Sequence, residues 1–330
     1  MNISRGKLLD LARDELNQRK RDEDLLSGFA IGSVVRGTAF LGGTADIDLV
    51  LIHRDDLQRP REFIRLSHQV HLDIVHHSQS FFRRPRELRT DPWMGPAIAE
   101  PGFLYDPEHF FERIQASVRG QFHRPDFTLQ RAQGFLERSR HHQSLMQLSR
   151  RWQQHYLLAI RCGANALLTC YEVPVAGRAW LVNLRERCQN LNEMDTYNGI
   201  LQLCGLLDST QWDFINLLPG FLKDWEEAGK RVSNPRFSRC RKEYYLGGIR
   251  GLLDRNEHHA AAWLLLTSWE TVMGDQAEGD PPSQNKNDWP ALLSAAKLTD
   301  ADKQQRKDIL ARFLTHIAER VTVWGNRSGA

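Results

Sequence analysis

The chain has 330 residues, 41% of them hydrophobic and 26% charged, which is enough for two or three domains with real cores. Forty-four Lys and Arg against 41 Asp and Glu leave a formal net charge of +3, so the field of the whole molecule gives no ground for a nucleic-acid or membrane-surface binder, and any such role has to rest on local clusters. Five cysteines (Cys162, Cys170, Cys188, Cys204 and Cys240), an odd number without C-x-x-C spacing, argue against a disulfide scaffold or a zinc ribbon and point to a reducing compartment, the cytoplasm.

The opening stretch MNISRGKLLDLARDELNQRKRDEDLL carries charges every few positions and lacks the apolar run of a signal peptide. Nowhere does the chain approach about 18–20 uncharged apolar residues, so neither targeting nor membrane spanning is expected. Leu8, Leu9, Leu11, Leu16, Leu25 and Leu26 among charges predict an amphipathic helix within residues 4–25. The period then changes. GFAIGS at 28–33, ADIDLVLIH at 45–53 and VHLDIVHH at 70–77 read as three strands of one sheet, separated by a Gly-rich turn and by a short helical insert near 60–68. Beyond residue 78 the spacing is helical, punctuated by Pro and Asp at 91–92, 106–107, 125–126 and 174. Leu157, Ile160, Ala164, Leu167 and Leu168 predict a core helix over 153–170, and Ala261, Leu264, Leu265, Ser268 and Trp269 predict another over 258–273. A polar stretch with three prolines at 275–290 reads as a linker before a last amphipathic pair around 291–322. No internal repeat is visible.

Residues 32–52 carry the chemistry. On a strand, positions i and i+2 face the same side, so Asp46 and Asp48 project together about 6–7 Å apart while Ile47 and Leu49 point into a core. Two carboxylates that close repel each other, and Mg²⁺, which takes hard oxygen ligands, removes the conflict. D-x-D alone reads equally as an edge strand with a solvated polar face. Upstream, Gly32-Ser33 ends a strand, and a glycine without Cβ followed by a hydroxyl lets backbone N–H groups approach phosphate oxygens. A helix starting after Ser33 would add the positive end of its dipole, and Arg36 could supply a guanidinium fork. Asp73, in the alternating run 70–75, could face the same cleft.

Gly-Ser, a gap of about a dozen residues, Asp-x-Asp on an apolar strand and one acid on the following strand resemble the signature of the nucleotidyltransferase superfamily related to DNA polymerase β. Gly32, Ser33, Asp46, Asp48 and Asp73 each stand at a motif position. Pro101 to Pro107, followed by an amphipathic helix, is similar to the close of this domain in small-molecule members such as the aminoglycoside nucleotidyltransferases, and residues 156–180 are loosely similar to their helical domain. The resemblance implies an α/β N-terminal nucleotidyltransferase domain, a short mixed sheet with helices, over residues 1–120, and a mostly α-helical acceptor-binding domain over 121–330. It implies two Mg²⁺ on Asp46 and Asp48, with Asp73 completing the acceptor-side metal. Gly32, Ser33 and Arg36 would hold a nucleoside triphosphate, ATP. The implied reaction moves AMP to a hydroxyl of a small molecule such as an aminoglycoside. A protein, an RNA end or a second nucleotide, as in cyclic-messenger synthesis, is the same-fold alternative acceptor. A catalytically silent nucleotide-binding module is the alternative of another class.

Weaker signals lie elsewhere. From Arg113 to Arg161 there are nine arginines, no lysine, and only Asp126 and Glu137 as acids; this excess could wall the cleft, or it could be solvated helix faces. The pairs His76-His77, His141-His142 and His258-His259 do not suggest zinc, because neighbours i and i+1 do not share a face. Arg255-x3-His259 is shorter than the R-x(4–6)-H spacing of HEPN ribonucleases.

Overall fold

Ser4 accepts a hydrogen bond from the Lys7 amide and so caps α1 (Arg5–Arg19), whose Leu8, Ala12 and Leu16 form one buried stripe. The structure, a computed structural model, describes residues 4–55, 61–231, 235–274 and 288–330. After α1 come β1 (Leu25–Ile31), the single turn α2 (Ser33–Arg36), β2 (Ala45–His53), β3 (Glu62–Arg65) and β4 (Val70–Ser78), then α3 (Pro85–Leu88), α4 (Met94–Ala99), β5 (Gly102–Tyr105) and α5 (Phe110–Arg119). Leu25 and Leu26, expected at the end of the first helix, begin β1 instead.

The sheet has five strands in the order β3-β4-β2-β1-β5, with β2 and β4 parallel and the other pairs antiparallel. β3 and β5 are additional to the three strands the sequence predicts. The insert near 60–68 is not helical where it is described: Glu62–Arg65 is an edge strand. Ser67 Oγ accepts from the Gln69 and Val70 amides and closes a turn that returns the chain antiparallel onto β4. Residue 60 lies outside the described residues. β5 escapes a reading by period because four residues are too few to show one, and its place is set by pairing with β1.

Ile47, Leu49, Leu51, Leu72 and Ile74 point to one face of the sheet and pack on Leu8, Ala12 and Leu16 of α1. The opposite face is divided. Phe29, Val50 and Ile52 are covered by Ile98 of α4 and by Phe111 and Ile114 of α5, with Phe29 stacked on Phe111 at 4.0 Å. Asp106 starts α5 by accepting from the Phe111 and Glu112 amides. The other half of that face carries Asp46, Asp48, His71 and Asp73 and lies toward the helical part of the chain.

That part comprises α6 (Pro125–Leu148), α7 (Trp152–Thr169), α8 (Trp180–Asn190), α9 (Met194–Leu203), α10 (Phe214–Arg231), α11 (Arg239–Leu253), α12 (His258–Gly274), α13 (Asp288–Ala295) and α14 (Lys303–Ser328). The expected core helices are α7 and α12, and their predicted stripes are buried. The last pair is α13 and α14, while residues 275–287 of the expected linker lie outside the described residues. All five cysteines are free and buried, and no helix of the described residues is long and apolar enough to cross a membrane.

The loop between α2 and β2 joins the two parts. Leu41 is buried in the helical core cluster. Gly42, at φ +56°, lies so close to α11 that a Cβ on it would stand 1.6 Å from the Gly247 carbonyl oxygen, and a Cβ on Gly251 would stand 2.5 Å from Gly42 Cα. Buried Arg178 locks this contact. Its guanidinium donates to the Thr44 hydroxyl at 2.7 Å, to the Thr44 carbonyl at 2.8 Å and to the Tyr244 carbonyl at 2.7 Å, reaches the Ala39 and Leu41 carbonyls at 3.3 Å, and lies 3.5 Å over the Tyr244 ring.

Candidate active site

β1 ends in a conformation reserved for glycine: Gly32 has φ +75° and ψ −142°, and a Cβ there would stand 2.4 Å from Asp48 Oδ2. The carboxylate therefore uses the space that glycine leaves. Register does the rest. Ile31 pairs with Asp48, Asp48 with Asp73 and Asp46 with His71, so Asp46, Asp48, His71 and Asp73 share one face as the alternation on β2 and β4 requires.

Asp46 is buried and Asp48 partly so, and among the described residues neither carboxylate has a hydrogen bond or ion pair. Burial, followed by the charges of Asp46 and Asp73, pushes the Asp48 carboxyl well above the usual carboxylate range, against the pull of Arg241 and Arg61. The Ser33 hydroxyl is buried and unpartnered. Gly32, Ser33, Arg36, Asp46 and Asp48 line one cavity, which Arg178, Asn183 and Tyr244 close from the helical side. α2 is a single turn, so the dipole expected after Ser33 is small; what the turn offers is its first N–H groups, which helix geometry leaves unpaired, and the Ser33 hydroxyl.

Asp73 is held differently. Arg61 grips it with two bonds, Nε to Oδ1 at 2.5 Å and Nη2 to Oδ2 at 2.7 Å, and Arg241 Nη1 lies 3.5 Å from Oδ2. His71, buried beside Asp46, has its pKa lowered to about 4, chiefly by burial, so its ring is neutral; it meets the Tyr244 ring edge-on at 5.0 Å.

A hard divalent cation fits Asp46 and Asp48: both offer oxygen donors with no protein partner, and their proximity carries a cost that a cation would remove. Asp73 is on the same face, but its oxygens are engaged by arginine. Among the described residues no group of three or more His, Cys, Asp or Glu side chains converges as a metal site. The histidine pairs split between separate partners: His76 bonds Glu62 and His53, His142 faces His155, and His259 bonds Ser209.

Sequence reasoning missed Arg61, Arg178, Arg241 and Tyr244. Arg241, Tyr244 and Tyr245 stand at i, i+3 and i+4 on α11, a local signal that one face is shared, but nothing local links that face to Asp73, 168 residues away. The Arg-rich stretch 113–161 contributes no residue to the cavity lined by Asp46 and Asp48. Instead Arg131 donates to the Arg89 and Phe122 carbonyls, Arg124 pairs with Asp126, Arg138 with Asp91 and Arg151 with Glu270.

No protein-family model and no curated protein matches this chain. Among solved structures, it is similar to a nucleotidyltransferase-like protein from Exiguobacterium sibiricum 255-15, at 14% identity and a TM-score of 0.31 over 90% of this chain and 91% of that one. A likeness at that level carries no functional argument.

Proposed function

We propose that the chain is a Mg²⁺-dependent nucleotidyltransferase that moves a nucleoside monophosphate, AMP from ATP, to a hydroxyl of a small acceptor. One observation carries this: an unpartnered, buried Ser33 hydroxyl on a Gly32 turn lines the same cavity as Asp46 and Asp48, with Asp48 and Asp73 in register on parallel strands. In this reading residues 1–120 are the catalytic domain and 121–330 the acceptor-binding domain. Mg²⁺ held by Asp46 and Asp48, with Asp73 completing the acceptor side, would neutralise the triphosphate and acidify the acceptor hydroxyl. Ser33 and the N–H groups after Gly32 hold the β- and γ-phosphates, and Arg36 balances charge on the leaving pyrophosphate. The acceptor oxygen bonds to the α-phosphorus as the bond from that phosphorus to the β-bridging oxygen breaks, and the hydroxyl proton passes to Asp73.

A second reading, a nucleotide-binding module without transfer, is favoured by the two arginines on Asp73. One experiment separates the two. The full chain is incubated with Mg²⁺ and each α-labelled nucleoside triphosphate, with small hydroxyl compounds (aminoglycosides and sugar phosphates), tRNA and a protein lysate as acceptors. Transfer expects label on a small molecule with release of pyrophosphate. Bound but unreacted label in every mixture overturns it.

A further inference from the structure

The two arginines on Asp73 also line a second cavity. Arg61 and Arg241 wall a cleft together with Phe63, Tyr245, Arg236 and Ser268 of α12, and no acidic residue is part of its described lining. It shares no lining residue with the cavity of Ser33, Asp46 and Asp48. Asp73 links them: its strand partner Asp48 lines one, and its two arginines line the other. Tyr244 and Tyr245, neighbours on α11, fall one to each cavity.

The Arg241 guanidinium carbon lies 4.7 Å from the centre of the Phe63 ring and 5.1 Å from that of Tyr245, and its Nε is buried without a hydrogen-bond partner. A guanidinium placed over two rings, with one nitrogen near a carboxylate and an unused donor, is suited to take a second oxyanion. Two such groups on one carboxylate can exchange it for a phosphate, which would free the oxygens of Asp73. Phe63 and Tyr245 add planar apolar surface beside the charge.

We propose that this cleft holds the acceptor and that the acceptor is a small phosphomonoester bearing a planar ring, its phosphate on Arg61, Arg241 and Arg236, its ring on Phe63 and Tyr245, and its hydroxyl beside Asp73. The proposal rests on the nucleotidyl-transfer reading. An aminoglycoside, a polycation, meets arginines here and is disfavoured. The reaction stays balanced as written above: the acceptor's hydroxyl attacks, its phosphate is a handle, and pyrophosphate leaves.

The test is calorimetric titration of the full chain, first with Mg²⁺ and α,β-methylene ATP, then, with that complex saturated, with phenyl phosphate. Phenol and inorganic phosphate serve as the two halves of the probe, and tobramycin and a 5′-phosphorylated RNA dodecamer as competitors. Phenyl phosphate should bind more tightly than either half. Arg236→Gln, at the exposed rim, should weaken it at least about tenfold while nucleotide affinity changes by less than about twofold; Arg241→Gln should weaken phenyl phosphate as strongly, and if it does not fold, Arg236→Gln decides alone. No binding of phenyl phosphate up to about 10 mM, an affinity unchanged by Arg236→Gln, or tighter binding of tobramycin or RNA overturns the proposal. If the nucleotide fails to bind while phenyl phosphate still depends on Arg236, the proposal falls through the transferase reading and not through the cleft.

Discussion

A Cβ on Gly32 would need the place of Asp48 Oδ2, 2.4 Å away, and would hold a side chain at φ +75°. Gly32→Ala should therefore lower stability by about 1–3 kcal/mol, the cost of such a backbone conformation, and displace the Asp48 carboxylate. A thermal melt together with a nucleotide titration checks it, and wild-type values in both would mean that the turn tolerates a side chain. Asp48→Asn acts oppositely on the fold. It removes a charge that burial, Asp46 and Asp73 all disfavour, so the melting temperature without Mg²⁺ should rise while transfer is lost. Glu270 offers a pH test outside the cavity of Asp46 and Asp48. Burial lifts its pKa from 4.5 to about 7, against the Arg151 guanidinium at 3.4 Å. Its folded pKa lies above its unfolded one, so its contribution is fully present below about pH 4.5 and is lost as pH rises through about 7. Glu270→Gln should flatten that dependence and stabilise the protein at pH 8 by on the order of 3 kcal/mol, read from denaturant midpoints at pH 5 and 8. At this scale the sequence reveals what is local. Asp46 and Asp48 two apart on a strand, and Gly32 before Ser33, need only the pleat and the missing Cβ to be read. Arg61 and Arg241 reach Asp73 through tertiary packing, for which no spacing speaks.

Elements met the same limit. α7 and α12 are long enough for a 3.6-residue stripe to stand out, whereas Glu62–Arg65 and Gly102–Tyr105 are four residues each and are strands only because β4 and β1 pair with them. The contact of the 38–44 loop with α11 was equally hidden: Gly42, Gly247 and Gly251 are spaced like ordinary turn and helix glycines until the two backbones meet. Arg178 is the bolt of that contact, and only a planar fork can serve Thr44, Ala39, Leu41 and Tyr244 at once. Arg178→Lys keeps the charge but loses the fork. It should cost about 2–3 kcal/mol, the scale of hydrogen bonds to a charged group, and weaken nucleotide binding, since the loop lines the cavity. Chemical denaturation measures the first effect and calorimetry the second; a loss of stability with unchanged nucleotide affinity would separate the bolt from the site.

For the molecule as a whole, a modest charge of +3 conceals a strongly uneven interior, with carboxylates gathered on β2 and β4 and two arginines, Arg61 just before β3 and Arg241 on α11, brought to Asp73. The Arg-rich stretch 113–161, the most visible charge feature of the sequence, turns Arg124, Arg131, Arg138 and Arg151 to carbonyls and acids and none of its residues to the cavity of Asp46 and Asp48. Charge counts along a chain do not say which cations face a cleft. In the transferase proposed above, Asp46, Asp48 and the Gly32-Ser33 turn together bind a Mg²⁺-nucleoside triphosphate. Calorimetric titration of the full chain with α,β-methylene ATP tests it most directly, in Mg²⁺ and again in EDTA, for the wild type, Asp46→Asn and Ser33→Ala. Binding should require Mg²⁺, be lost in Asp46→Asn and be weakened by about 1.5–3 kcal/mol in Ser33→Ala; equal binding in EDTA, or affinities the same in all three proteins, would rule this site out.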